Sequence, residues 1–120
     1  MAKKGTSKYF SEIHEQFIAA RFGGVRSPSS GGHVTDAGDV RVKASDGSVG
    51  VLVECKHTGS FEKPAKSITI DLGVLEKICD EAWSEGKTPV LALRMYNPES
   101  ILSDANGMID LITKLERDSG

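Results

Sequence analysis

The 120-residue chain lacks several features that mark particular classes of protein. It has no apolar run long enough to cross a bilayer, and no apolar segment follows its N-terminus, so neither a membrane protein nor a signal peptide is predicted. Its two cysteines, Cys55 and Cys79, are too few for a disulfide framework or a zinc site. We therefore expect one cytoplasmic domain, residues 1–120, in which residues 1–7 form a flexible basic arm.

A strong excess of charge of one sign is also missing, since the formal net charge is −2. The charges are unevenly distributed, however. Residues 1–66 carry ten Lys and Arg against seven Asp and Glu, whereas residues 67–120 carry five against ten. We interpret the first half as the surface that can face a polyanion such as DNA, and the second half as a solvated or partner-binding surface.

The most informative stretch that is present spans residues 50–57, where an apolar, β-branched run turns polar at its end. Side chains alternate between the two faces of a strand, so Glu54 and Lys56 share one face while Val53 and Cys55 share the other. Burying an acid or a lysine costs several kcal/mol unless it is paired or bound to a metal. The alternative interpretation is a surface ion pair on an edge strand.

A second acid, Asp39, lies near the start of a short strand predicted at residues 38–42. The Asp46-Gly47 dipeptide between the two strands is a strong hairpin signal. A strand, a tight turn and a strand would bring Asp39 and Glu54 together. Two carboxylates and a lysine are the minimum set for a Mg²⁺-dependent phosphodiesterase, because the acids hold the cation and Lys56 assists the attacking water or offsets charge on the phosphate.

A helix is predicted over residues 8–21, with Ser7 as its N-cap and Gly23-Gly24 as its end. Its apolar stripe is expected to contain Tyr9 or Phe10, Ile13, Phe17 and Ala20. Glu12 and Glu15 lie three positions apart and are neighbours on the helix surface. Most such acids are solvated, but Glu15 borders the apolar stripe.

Two loops carry residues suited to contact phosphates. A short lead-in strand is predicted at residues 24–26. The loop at 27–33 is rich in Ser and Gly, and Arg26 and His33 are the cations that flank it. An ordinary surface loop is the alternative. The polar segment 57–66 contains Lys63 and Lys66 and is a second candidate for DNA contact.

The C-terminal half is predicted to alternate between strands and helices. The expected elements are a short strand at 67–70, a helix at 72–85, a buried strand at 88–94 and a helix within 101–116. The strand–helix–strand order implies a crossover that makes two strands parallel. The last helix would either pack on the sheet or form a dimer interface.

The order of these motifs resembles the PD-(D/E)XK nuclease superfamily and, within it, the archaeal-type Holliday-junction resolvases and their small phage-encoded relatives. The resemblance covers roughly residues 8–96. It rests on a helix with an acid, then Arg26-Ser27-Pro28-Ser29-Ser30-Gly31, then Gly38-Asp39, then Val53-Glu54-Cys55-Lys56. Gly38 stands where many members of the superfamily have proline.

The resemblance implies roles for individual residues. Asp39 and Glu54 match the two metal-binding acids, Lys56 the catalytic lysine, and Ser30 the loop serine near the scissile phosphate. Glu15 is the preferred match for the helix acid that completes the metal site, with Glu12 as the alternative. The residues expected to contact DNA are Arg26, Ser27, Ser29, His33, Lys63 and Lys66.

The implied fold is an α/β, restriction-endonuclease-like core with a mixed central sheet of about four strands flanked by helices. The implied function is a Mg²⁺-dependent DNA endonuclease (Mn²⁺ can substitute), a homodimer that resolves Holliday junctions by symmetric nicks with 5′-phosphate ends. A phage-encoded member would act in the host cytoplasm, in DNA recombination or repair. The alternatives are a general nickase or repair nuclease of this fold, and a non-catalytic DNA- or protein-binding module on the same scaffold.

Overall fold

The computed structural model describes residues 3–23, 25–26, 39–42 and 50–117, which form a mixed β-sheet with helices on its two faces. The elements in chain order are α1 (Ser7–Phe22), β1 (Val25–Arg26), β2 (Asp39–Val42), β3 (Val51–Thr58), α2 (Leu72–Ser84), β4 (Thr88–Tyr96) and β5 (Met108–Lys114). The predicted α/β class, with a mixed sheet flanked by helices, is confirmed. The sheet has a fifth strand, β5, beyond the four that were expected.

The strands lie in the order β1-β2-β3-β4-β5 across the sheet. Neighbouring strands are antiparallel except β3 and β4, which are parallel and are connected through α2. This is the crossover expected from the strand–helix–strand order. The Asp46-Gly47 turn lies outside the described residues, but the antiparallel pairing of β2 with β3 that it predicted is confirmed.

Helix α1 begins at Ser7, one residue before its predicted start at residue 8. Thr6, not Ser7, is the N-cap, and its Oγ1 accepts a hydrogen bond from the backbone N–H of Tyr9 at 3.3 Å. Gly23 ends the helix at a φ of 69°, a left-handed conformation that glycine adopts without steric cost. The predicted end of the helix is therefore correct.

The buried stripe of α1 differs from the predicted one. Phe10, His14 and Ile18, each four residues apart, face the core, whereas Phe17 is 40% exposed and Ala20 is exposed. The prediction failed because it followed apolar residues only and excluded the polar His14 from the core. Burial of a histidine shifts the stripe by about one position.

Residues 3–6 of the predicted basic arm are held against the rest of the chain. The backbone N–H of Phe61 donates to the carbonyl of Gly5 at 3.0 Å, and the N–H of Thr6 donates to the carbonyl of Lys3 at 3.2 Å. Gly5 is buried and adopts a φ of 87° against the Phe61 ring. This part of the arm is thus a packed lead-in to α1.

Two clusters of apolar side chains lie on opposite faces of the sheet. On one face, Ile18 of α1 packs against alternate residues of three strands: Val40, Val53, Cys55, Val90 and Ala92. On the other face, Ile78 and Ala82 of α2 pack against Leu52. Cys79 lies on α2 and Cys55 on the α1 face, so the two cysteines are on opposite sides of the sheet.

The predicted helix within residues 101–116 is wrong, because the segment forms β5. Its apolar residues have helical spacing, but Ile109, Ile112 and Thr113 are β-branched and favour a strand. A turn that ends at Gly107, with a φ of 81°, brings the segment back along β4. Pairing there satisfies the backbone groups of the β4 edge, with Ala92 opposite Ile112.

The predicted short strand at residues 67–70 is also wrong, since this segment is irregular up to Asp71, the N-cap of α2. The alternation of Ile with Ser and Thr is thus not sufficient to form a strand here. No helix in the described part of the chain is long and apolar enough to cross a membrane.

Candidate active site

The two strands with the sequence-predicted acids are paired so that these acids are directly opposite. In the antiparallel register of β2 and β3, Asp39 is the partner of Glu54 and Val40 is the partner of Val53. Directly opposed residues have Cα atoms about 5 Å apart and belong to the same face of a sheet. The structure therefore brings positions 39 and 54 together, as the hairpin signal predicted.

Glu54 and Lys56 lie on one face of β3, two positions apart and so about 7 Å apart along the strand. Both side chains are half-buried, and the neighbouring strand places the buried Leu91 opposite Glu54 and Leu93 opposite Lys56. Among the described residues, the Lys56 ammonium has no hydrogen bond or ion pair. It is therefore available to an anion or a water molecule beside the two acids.

Arg41 is a charged neighbour that sequence analysis did not select. It lies two residues after Asp39 on β2 and therefore on the same face as Glu54. Its Nη2 lies 3.2 Å from Glu85 Oε2 and 3.8 Å from Glu81 Oε2, both on or just after α2. Lys87 and Arg41 hold the pKa of Glu85 below its usual value. The period of two in β2 could have pointed to Arg41.

The acids of α1 occupy different environments. Glu15 is 6% exposed, whereas Glu12 is half-buried, so Glu15 is the acid whose burial requires a partner. Helix α1 covers the face of the sheet that carries Val53 and Cys55, opposite to the face of Glu54 and Lys56. The role of Glu15 as a metal ligand remains a prediction.

Several predicted site residues lie where the structure gives little or no description. Ser27, Ser29, Ser30 and His33 are outside the described residues. Arg26 belongs to β1, where its backbone pairs with Val40 of β2. The lead-in strand was thus predicted correctly, and it runs beside the strand that begins at Asp39.

Lys63 and Lys66 are both exposed, in the segment after β3. They line a pocket of about 680 Å³ together with Thr58, the last residue of β3. Lys56 is two residues before Thr58 on the same strand, so the pocket opens at the end of β3 that carries the candidate site. Their contact with DNA remains a prediction.

The α1 face of the sheet holds a second group of charged side chains, none of which was predicted from the sequence. Arg94 of β4 is 6% exposed and binds Asp110 of β5 through two hydrogen bonds, 2.6 Å from Nε to Oδ1 and 2.9 Å from Nη2 to Oδ2. Its guanidinium also lies 4.7 Å from the ring centre of Phe17. This pair closes the β4–β5 edge of the buried face.

Two histidines accompany that pair. His14 is 1% exposed, and burial together with the nearby Arg94 lowers its pKa from 6.5 to about 4. His57 donates from Nε2 to the carbonyl of Gly59 at 2.9 Å, and burial lowers its pKa as well. The Nδ1 atom of each ring is buried without a hydrogen-bond partner in the described part of the chain. His14 is therefore neutral at pH 7, and burial favours the neutral form of His57.

The donors at the candidate site suit a hard cation. Within residues 3–23, 25–26, 39–42 and 50–117, no three His, Cys, Asp or Glu side chains are grouped as a metal site. Magnesium keeps several waters and needs only one or two protein carboxylates, so the opposed positions Asp39 and Glu54 fit its requirement. Metal binding at these positions remains a prediction.

Comparison with known proteins assigned no family to the chain, since no protein-family model, curated protein or solved structure matched it.

Proposed function

We propose that this protein is a Mg²⁺-dependent DNA endonuclease of the PD-(D/E)XK type. One observation carries the proposal: the β2–β3 register sets Asp39 directly opposite Glu54, with Lys56 on the same face of the sheet. Two opposed acids and a lysine on the same face of the sheet are the groups that metal-assisted hydrolysis of a phosphodiester requires.

Asp39 and Glu54 would hold the metal, whereas Glu15 belongs to the helix that covers the opposite face of the sheet. A Mg²⁺ or Mn²⁺ ion bound by Asp39 and Glu54 would polarise the phosphate and activate a water molecule. Glu54 is next to the buried Leu91 on the neighbouring strand. An apolar neighbour lowers the local dielectric constant and strengthens the attraction between the carboxylates and a cation.

Lys56 is proposed to act on the phosphate rather than on the protein. Its half-buried ammonium has no partner among the described side chains, so it can donate to a phosphate oxygen or orient the attacking water. In-line attack by that water leaves 5′-phosphate and 3′-hydroxyl ends. A binding module without catalysis would have no need of Asp39, Glu54 and Lys56 together, which favours the enzyme.

Within this class we propose a Holliday-junction resolvase that acts as a homodimer. The support is the motif order with the Arg26-Ser27-Pro28-Ser29-Ser30-Gly31 loop, together with the exposed Lys63 and Lys66 beside the site. Symmetric nicks across a four-way junction need two active sites at a fixed separation, which a twofold dimer provides. A general nickase or repair nuclease is the alternative, because a fold does not determine its substrate.

The proposal is tested by cleavage of a labelled immobile four-way junction and of the matching linear duplex, each with Mg²⁺ and with EDTA. We expect paired symmetric nicks in the junction only, which are lost with EDTA and in Asp39→Asn. Cleavage of both substrates would keep the nuclease and remove the resolvase assignment. No cleavage and no Mg²⁺-dependent rise in thermal stability would contradict the enzyme and favour the binding module.

A further inference from the structure

Phe61 is an exposed aromatic residue that is fixed in place. Its side chain is 53% exposed, yet its ring centre lies 5.3 Å from that of Phe10 and 5.4 Å from that of Tyr96. Its backbone N–H donates to the carbonyl of Gly5 at 3.0 Å. The Phe61 ring also lies so close to Gly5 that a Cβ atom on Gly5 would be 2.3 Å from it. The chain thus holds a half-exposed ring in one position.

The surroundings of this ring are basic. A pocket of about 250 Å³ beside it is lined by Lys3, Lys4 and Phe61 itself, and the neighbouring pocket of about 680 Å³ is lined by Lys63 and Lys66. Among the described residues that line the two pockets, Glu62 is the one acid, and it lines both. Four lysines against one glutamate give a local positive charge on a chain with a net charge of −2. This surface is complementary to a polyanion.

The basic aromatic surface lies close to the candidate active site. Phe61 is five residues after Lys56, a chain length that spans at most about 17 Å. Phe10 and Tyr96 place the ring around the end of β3, toward the α1 face. A DNA strand that runs from Lys56 along β3 reaches Phe61 only if it bends around this end of the sheet. A continuous duplex is too stiff for that turn over so short a distance.

We propose that Phe61 is a stacking platform for an unpaired base of single-stranded DNA, whose phosphates are held by Lys3, Lys4, Lys63 and Lys66. Base–aromatic stacking accepts any base but needs one that is out of the duplex, whereas lysines bind the phosphates without regard to sequence. The inference rests on the proposed nuclease function. It assigns to that function a step in which a base leaves its pair near the cleaved phosphate.

The first experiment measures the binding of fluorescein-labelled oligothymidylate by fluorescence anisotropy in EDTA. We expect Phe61→Leu to bind about tenfold more weakly than the wild type, and Phe61→Tyr to remain within about twofold, because tyrosine keeps the ring. The matched control is Leu72→Ala, which shortens another exposed apolar side chain and should leave the affinity unchanged. Thermal melting of each variant verifies that it is folded.

Salt dependence separates the ring from the lysines. The slope of log affinity against log salt concentration should fall by about one for Lys63→Gln and again for Lys66→Gln. The slope should not change for Phe61→Leu, since that substitution removes no charge. A change of slope in Phe61→Leu equal to that of a lysine variant would overturn the assignment of stacking to Phe61.

The decisive probe is the same oligonucleotide with abasic residues in place of its bases. The effect of Phe61→Leu should disappear on this probe, because no base is left to stack. Equal weakening on both probes, or none on the normal probe, would overturn the proposal. Binding in EDTA needs no cleavage, so the platform can fail while Asp39-dependent cleavage is retained. Equally, stacking can be found in a chain that does not cut DNA, and the two failures are therefore distinguishable.

Discussion

The two faces of the sheet use the same kinds of charged residues in opposite ways. On the α1 face, Arg94 is buried and bound by Asp110 through two hydrogen bonds, and the neighbouring His14 is held neutral. On the α2 face, Glu54 and Lys56 are half-buried, and the lysine has no partner in the described part of the chain. The contrast is between a base matched to its acid and a base left without one.

This difference shows which charges serve stability and which can serve chemistry. A buried guanidinium costs free energy unless its donors are occupied, so the Arg94–Asp110 pair is a structural requirement of its environment. Among the described residues, the Lys56 ammonium has no partner that would give it a comparable stabilisation. We therefore propose that Lys56 serves a ligand. Substitutions on the two faces test this difference, from the largest expected effect to the smallest.

The largest effect is expected from Lys56→Met. Because the ammonium is proposed to act only on the phosphate, cleavage should fall by a hundred- to a thousandfold, or about 3 to 4 kcal/mol of transition-state stabilisation. The free energy of unfolding should change by less than about 0.5 kcal/mol, since no protein contact of the ammonium is lost. Single-turnover cleavage and urea unfolding measure the two quantities.

Lys114→Met is the matched control for that substitution. Lys114 is exposed on β5, so its replacement removes the same charge far from the candidate acids. Its cleavage rate should stay within about twofold of the wild type. An equal loss of cleavage in both variants would show that net charge, and not the position of Lys56, sets the rate.

Asp110→Asn is expected to have the next largest effect, and on stability alone. The substitution leaves the Arg94 guanidinium buried beside a neutral amide, which should lower the free energy of unfolding by about 3 kcal/mol. In the double variant Asp110→Asn, Arg94→Met, the loss should be smaller than the sum of the two single losses. Full additivity, measured by urea unfolding, would contradict the pairing.

The sequence alone predicted the features of the two faces that depend on the alternation of side chains along a strand. Glu54 and Lys56 were correctly assigned to one face, and Asp39 was correctly set against Glu54, because a hairpin signal and two apolar runs fix a local register. The crossover through α2 followed from element order alone. These features depend on residues close to one another in the chain.

The buried face could not be predicted, because its partners come together only through the sheet order. Arg94 meets Asp110 across the β4–β5 pair, and that pair was missed when the tail was predicted to be helical. His14 was excluded from the core as a polar residue. Its burial follows from the packing of α1 against β3 and β4, which no spacing within the helix reveals.

The neutral state of His14 makes the stability of the buried face dependent on pH. Its pKa in the folded protein, about 4, is below the unfolded value of 6.5, so the unfolded chain takes up the proton first as the pH falls. Stability is therefore present above pH 6.5 and is lost toward pH 4. Between pH 7 and pH 4.5 this histidine should account for a loss of about 2 kcal/mol.

His14→Gln isolates that contribution, since the carboxylates that also titrate in this range are common to both proteins. Urea unfolding of the wild type and the variant at the two pH values should show a smaller pH dependence in His14→Gln by about 2 kcal/mol. The groups that face His14 are Arg94, Asp110 and His57, and all three are retained. An unchanged pH dependence would mean that the pKa of His14 in the folded protein is close to its unfolded value of 6.5.

The smallest effect is expected from Glu85→Gln, the counterpart of Asp110→Asn on the opposite face. Both substitutions replace a carboxylate that binds an arginine with an amide of the same shape. Glu85 is exposed where it contacts Arg41 and Lys87, so solvent already screens the charges, and the free energy of unfolding should fall by less than about 1 kcal/mol. Raising the salt concentration should remove this difference but not that of Asp110→Asn, because buried pairs are screened much less. Equal losses of unfolding free energy in Glu85→Gln and Asp110→Asn would mean that ion pairs on the two faces contribute equally to stability. The inference that Lys56 serves a ligand would then lose its support.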